Sequence, residues 1–411
     1  MKFIHSVMLT VVVLVFSTVT ARADQNHIPQ KSIVVGGSVE LTSTTSNAQP
    51  DDSAGKKADK AGTPVSVVTD KAVPRGAVIT LGERDNKNMV GVYMTAETLR
   101  RMIPLLEEDK VDLVVLRFYS GGGYLSEIMP LSDAIQEYKK KFTTVAWIES
   151  AISAAAMTAH TVEDIYFTSQ GNYGACTGFG GSFDRPVVGR ALEEVLAMME
   201  VISGRGKHDP KIMRAMQISS SDEDVRTLQI APPTGALSAT IDENGDVMWF
   251  QDTTSGKHVL NPSAGRRILT FNSENAEKFK FSRGTADSLE ELTDKMGYQE
   301  ITWVGEKDSR FLYPICKAEK FNMKFRANTL RDEEHFREYR RSFEMNFELA
   351  RGEQDKQRRG AFVAKCRQAL ENIKRMVRNN PNFAPQTLGV EPKDFPDWIA
   401  NIEKELRELM R

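Results

Sequence analysis

Val111-Asp-Leu-Val-Val-Leu-Arg-Phe-Tyr-Ser-Gly-Gly-Gly123 is the stretch that decides the fold. Between Val111 and Phe118 only Asp112 and Arg117 interrupt an apolar run, the pattern of a strand buried on both faces. The run stops at three glycines, residues that allow the chain to turn sharply. Upstream, residues 77–81 read as another strand. A helix is expected between the two, with Thr95 as its cap and Leu99, Met102, Ile103 and Leu106 at helical spacing. Downstream come a helix over about 124–138, a strand over 142–148, a run of small residues opening at Ser153, and a strand over 164–168. Strands alternating with helices predict an α/β fold with a parallel sheet and helical crossovers. Sites in such sheets form at the carboxyl ends of the strands. Two segments fall there, the glycine run and residues 150–153.

Beyond Gly174 the pattern loosens. A flexible loop is expected at Gly178-Phe179-Gly180-Gly181-Ser182, then a helix over 187–202 ended by Ser203-Gly204-Arg205-Gly206. A short helix over 210–216 has Asp209 as cap and Pro210 in its first position. Residues 239–250 read as a hairpin turning through Asn244-Gly245. A strand at 268–271, helices from Ser273 and over 288–296, and a strand at 301–304 close the α/β part. From about Phe311 the chain turns charged and aromatic, with Phe336, Phe343 and Phe347 at helical spacing. Residues 351–378 hold nine basic side chains against three acidic ones, which reads first as a solvated helix face.

The N-terminus has a different character. Lys2 precedes an apolar stretch centred on residues 11–16, and Ala21-Arg22-Ala23 follows it at once. That is the layout of a cleavable secretory signal peptide, and the apolar core is short for a bilayer span. Residues 24–73, rich in Ser, Thr, Asn, Gly and Asp, cannot bury enough apolar surface to offset ordering and read as a disordered linker. The expected organisation is a signal peptide (1–23), a linker (24–73), an α/β domain (74–308) and a charged helical region (309–411). Net charge is −2 over 411 residues, so no nucleic-acid partner is implied. Cys176, Cys316 and Cys366 are few, odd in number and far apart, which implies neither a disulfide framework nor a zinc site.

The strand-and-glycine stretch resembles the corresponding segment of ClpP-type serine peptidases, with the NfeD and SppA branches nearest. Ala151-Ile-Ser-Ala-Ala-Ala156 is similar to their nucleophile motif, the segment 162–175 to the stretch that follows it, and 269–297 to their closing strand, helix and S-x-E-E-L. The resemblance spans about 75–306. It implies a ClpP/crotonase-like spiral of ββα units, followed here by the mostly α-helical C-terminal region. It further implies that Ser153 is a nucleophile, that the N–H groups of Gly122 and Ala154 form an oxyanion hole, and that 121–123 bind substrate as an extended strand. Ser153 as a plain helix cap and Ser150 as nucleophile are the competing assignments.

The sequence departs from that family at the base, without which a serine is a weak nucleophile. No Lys occurs between Lys141 and Lys207, and Arg185 and Arg190 stand near the usual place. A guanidinium does not act as a base. His160 follows Ser153 by seven positions, about 10 Å along a helix and beyond hydrogen-bond reach. Lys207, His208 and Lys211 are the remaining base candidates, and Glu149 stands where the family has Gly. The expectations are therefore an exported, periplasmic or extracellular serine peptidase acting on peptide or protein without cofactor or metal. It would be homo-oligomeric and peripherally associated with membrane. The alternative is a non-catalytic relative that binds peptides or scaffolds an assembly. A crotonase-type acyl-CoA enzyme fits the hole but not the export signal.

Overall fold

The computed structural model describes residues 73–179, 187–217, 235–261 and 268–411. The expected leader and nearly all of the linker lie outside these, as do 180–182 of the glycine-rich loop and Arg185.

The chain enters the core through β1 (Arg75–Leu81), crosses by α1 (Ala96–Glu108) to β2 (Leu113–Ser120), and by α2 (Ile128–Lys141) to β3 (Thr143–Ile152). The small-residue run forms α3 (Ala154–Ala159), and β4 (Asp164–Gly174) follows. Next come α4 (Arg190–Gly206), α5 (Pro210–Ala215), β5 (Leu237–Ile241), β6 (Val247–Phe250), β7 (His258–Asn261), β8 (Thr270–Asn272), α6 (Ser273–Lys278), β9 (Gly284–Thr285), α7 (Leu289–Lys295) and β10 (Thr302–Trp303). The main sheet has the order β10-β1-β2-β3-β4-β8, with β9 also paired to β4. β1 to β4, β9 and β10 pair in parallel, as expected, whereas β8 runs antiparallel beside the end of β4. The predicted hairpin is β5–β6, and β7 joins it in a second, antiparallel sheet.

β2 shows why its sequence is apolar throughout. Val114, Leu116 and Phe118 pack into one core with Leu99, Met102, Leu131 and Ile135 of α1 and α2. Leu113 and Val115 face the other way, into a second core with Trp147, Leu289, Leu292 and Ile315. Thr95, Asp209 and Ser288 all cap their helices through side-chain oxygens. Several boundaries differ from expectation, two of them near the site. β4 runs on to Gly174, past a register shift between Ile148 and Ser150 on its neighbour. α4 does not stop at Ser203-Gly204 but continues to Gly206 and ends at Lys207, in the left-handed region. Burial of Ile202, Ser203 and Gly206 outweighs the roughly 1 kcal/mol that glycine costs a helix.

The C-terminal helices are α8 (Lys317–Gly352), α9 (Lys356–Asn379) and α10 (Phe395–Glu408). Val73–Arg411 form one compact unit. α8 packs against α1 and β1 with the buried Arg326 at the contact. Cys176, Cys316 and Cys366 are buried free thiols.

Candidate active site

β3 delivers Ser153 to the carboxyl end of the sheet, where strand passes into α3 without a loop. Ser153 holds φ 57° and ψ −126°, a region sparsely occupied outside glycine, with a strain on the order of 1–3 kcal/mol. The conformation is pinned from both sides: Ser153 N–H donates to Gly174 O at 2.8 Å, and Met157 N–H to Ser153 O at 3.1 Å. Ser153 occupies the N-cap position yet makes no side-chain capping bond. Its role as an ordinary helix cap is therefore absent, and its half-buried hydroxyl has no hydrogen bond among the described residues. Ala154, Ala155 and Ala156 behind it are fully packed.

The glycine run comes against this serine from the neighbouring strand. A Cβ on Gly122, whose φ is +104°, would lie 2.6 Å from Ser153 Cβ, so only glycine fits there. Gly122 N–H, expected in the oxyanion hole, donates instead to Ser120 Oγ at 3.1 Å. Gly122 O accepts from Val90 N–H at 2.9 Å, and Val90 O accepts from Tyr124 N–H at 3.1 Å. One edge of the run expected to hold substrate is thus already paired with the chain's own Val90. The Gly123 and Ala154 N–H groups have no partner among the described residues. Gly121 and Gly123 are exposed and Gly122 is buried.

The structure does not bring the three base candidates to Ser153 Oγ. Lys207 Nζ is 2.7 Å from Glu163 and largely exposed. His208 Nε2 donates to Val162 O at 2.8 Å, the only polarity a carbonyl permits. Lys211 Nζ pairs with Asp209 at 3.2 Å. Of the two arginines near the usual base position, Arg190 pairs with Glu194 on the surface. Ser150, the competing nucleophile, donates to Asn172 Oδ1 at 2.9 Å. Glu149 is turned to the other side: Arg117 and Arg84 hold its carboxylate in a cavity that Tyr119, Tyr313 and Arg326 also line.

What the chain does gather is a closed aromatic cluster at the far end of α3. His160 is fully buried, its ring 4.3 Å from that of His208 and 5.8 Å from that of Phe281. Tyr173 O–H donates to Ala156 O at 2.7 Å, so His160 Nδ1–H donates to Tyr173 Oη at 2.9 Å. His160 Nε2 is left a buried acceptor without a partner. Burial, and then the neighbouring His208, hold His160 well below the ordinary histidine pKa. His208 is lowered as well, by burial first, against the opposing effect of its bond to Val162 O. Cys176 Sγ approaches Ser153 O at 3.6 Å, but burial pushes its thiol far up, which excludes a thiolate at neutral pH. Sequence reasoning missed Ser120 and Val90 as partners of the glycine run, and neither residue type signals such a role. Among the described residues no group of three His, Cys, Asp or Glu side chains is arranged to hold a metal ion. No described helix is long and apolar enough to cross a membrane.

No family profile matches the chain. The membrane protein NfeD1b of Bacillus subtilis (strain 168) is 25% identical over 218 residues, covering 52% of this chain and 40% of that protein. The chain thus spans well under half of that relative's length. Among solved structures, the 1510-N membrane-bound stomatin-specific protease, as a serine-to-alanine mutant, is 14% identical with a TM-score of 0.37, over 55% of this chain and 86% of that one. The 1510-N membrane protease specific for a stomatin homolog, from Pyrococcus horikoshii, is also 14% identical, with a TM-score of 0.31, over 55% and 79%. These two scores are too low to bear on any residue. The mixed α/β core and the glycine turn against a strained serine stand beside a similarity to NfeD1b that covers about half of this chain.

Proposed function

We propose that the chain is an exported serine peptidase in which Ser153 Oγ attacks the carbonyl of an extended peptide lying along residues 121–123. The observation that carries this reading is the state of Ser153: a strained backbone, no capping bond and a hydroxyl without a hydrogen bond among the described residues. A serine kept only for stability would cap the helix, as Ser288 does. The oxyanion would be received by the N–H groups of Gly123 and Ala154, because Ser120 Oγ engages that of Gly122. Such donors act where charge develops in the transition state. The proton leaving Ser153 Oγ needs a base, and Lys207, His208 and Lys211 are each held by another group. None of these three is free to take it as they stand.

That last point favours a second reading, a non-catalytic member that binds peptides or scaffolds an assembly. Labelling by a fluorophosphonate probe separates the two. The peptidase reading expects covalent labelling of the wild type and none of Ser153→Ala. A wild type that stays unlabelled, and that cleaves no unfolded peptide, leaves the scaffold. Export, homo-oligomerisation and peripheral membrane association belong to the same proposal. The leader-like residues 2–23 support export, and the membrane-protein description of NfeD1b supports the association. A mature N-terminus at Asp24 and a light-scattering mass above that of one chain are the expected results. Retention of Met1, or a monomer at high concentration, counts against them.

A further inference from the structure

The loop between β1 and α1 bonds to the glycine run and to the serine before it. Asn88 O accepts from Ser120 Oγ, and Val90 pairs on both sides with Gly122 and Tyr124. The loop itself has little regular structure, with an isolated bridge at Val90 and turns at Gly91–Tyr93. Its order is imposed by the C-terminal helices, at both ends. At the start of the loop, Arg326 and Asn322 of α8 donate to Thr80 O at 3.0 and 2.7 Å. Glu319 accepts from Thr80 N–H at 2.9 Å, and Arg326 reaches Glu83 at 2.8 Å. At its far end, the connection between α9 and α10 takes over. Asn380 Nδ2 donates to Val92 O at 3.0 Å. Asn382 Nδ2 donates to Gly91 O at 3.1 Å and to Glu127 Oε2 at 2.8 Å. Glu127 is buried and its other oxygen accepts from Ala96 N–H, the start of α1, at 2.7 Å. Burial raises the Glu127 pKa, which the two donated bonds oppose.

From this geometry we infer that the α9–α10 connection is part of the site: Asn380 and Asn382 are positioning residues that hold residues 88–92 against the glycine run and so fix where the Gly123 N–H points. The proposal rests on the site assigned to Ser153, but its structural half can be measured without catalysis. Gly91, at φ +86°, leaves no slack, since a Cβ there would come within 2.8 Å of Gln386 Nε2. Each bond lost from this clamp lowers the cost of opening the loop, and loss of the two that Asn382 donates should raise its opening about tenfold.

The test is amide hydrogen exchange on the full chain, wild type against Asn382→Ala and Asn382→Asp. The aspartate keeps the shape and loses both donated bonds. Exchange should quicken about tenfold over 88–93 and 120–124 in both variants, while β3, β4 and α8 keep their protection. Where the wild type labels with fluorophosphonate, the labelling rate should fall with it, and Asn382→Gln should restore part of the loss. Lys365→Ala, on the exposed face of α9, should change neither. Unchanged exchange over 120–124, with faster exchange confined to 380–390, overturns the inference. Faster exchange in a protein that never labels keeps the clamp and removes only the peptidase reading. Global loss of protection in the Ala variant makes the Asp variant decisive, read by the same two outcomes.

Discussion

The two ends of α3, capped by Ser153 and His160, lie seven positions apart on one short helix and are built on opposite rules. At the Ser153 end the backbone is strained, and among the described residues neither the side chain nor the neighbouring N–H of Ala154 has a hydrogen-bond partner. At the His160 end all is enclosed: ring against ring with His208 and Phe281, and one nitrogen committed to Tyr173. Packing encloses its groups away from solvent, whereas chemistry needs groups left unmatched at an accessible place. The contrast shows why residue type alone misleads. His208 reads as a base candidate in the sequence, but it packs against His160 at the closed end of α3.

The largest expected effect tests the open end. Ser153→Ala should abolish fluorophosphonate labelling, a loss of at least about a thousandfold in rate if the serine acts. Stability should barely move, since the hydroxyl makes no bond to lose. Denaturant titration beside the labelling assay checks both. A drop of several kcal/mol in Ser153→Ala would make the two ends alike and break the comparison.

At the closed end, His160→Ala should cost about 2–4 kcal/mol in denaturant unfolding, the usual range for emptying a buried aromatic site. A cost under about 1 kcal/mol would mean that the cluster carries no stability. Its lowered histidines also set a pH dependence. An unfolded histidine takes up its proton near pH 6.5, while His160 and His208 do so only at lower pH when folded. The unfolded chain therefore binds more protons as the pH falls, so the stability from neutral burial is complete above about pH 6.5 and is lost below it. Glu163 partly offsets the effect at His208, whereas Lys139 and Arg283 add to it. Each histidine contributes a slope of up to about 1.4 kcal/mol per pH unit. Unfolding free energies from pH 8 to pH 5 should show a plateau and then a fall, shallower in His160→Phe. A profile that rises toward acid would contradict the assignment.

The smallest effect is expected at Lys207. Its pair with Glu163 is largely exposed, and such pairs contribute about 0–1 kcal/mol. Lys207→Ala should leave labelling unchanged and stability within about 0.5 kcal/mol. Loss of labelling in that variant would restore Lys207 as a base and require the α4–α5 turn to close over Ser153.

Much of the fold was legible because burial on two faces leaves a mark on every residue of a strand. β2 reads as apolar at alternate positions for each of its two cores. Caps at Thr95 and Asp209 were legible for a similar reason, since the requirement is local. The end of α4 was misplaced because Gly204 and Gly206 have the composition of a stop, while the packing of Ile202 and Ser203 that overrides it is not local. Val90 escaped notice altogether. It is an aliphatic residue in a loop, and its pairing with Gly122 joins segments more than thirty positions apart.

By itself, then, the sequence determined the sheet, its helical crossovers and the meeting of a glycine run with Ser153, because hydrophobic period and glycine placement act over a few neighbouring residues. Only the tertiary structure decided which groups at that meeting are free. Whether the Gly122 N–H is taken by Ser120, whether Ser153 caps α3, and whether His208 faces the serine or Val162 depend on atoms brought within about 3 Å from distant parts of the chain. No local pattern carries that information.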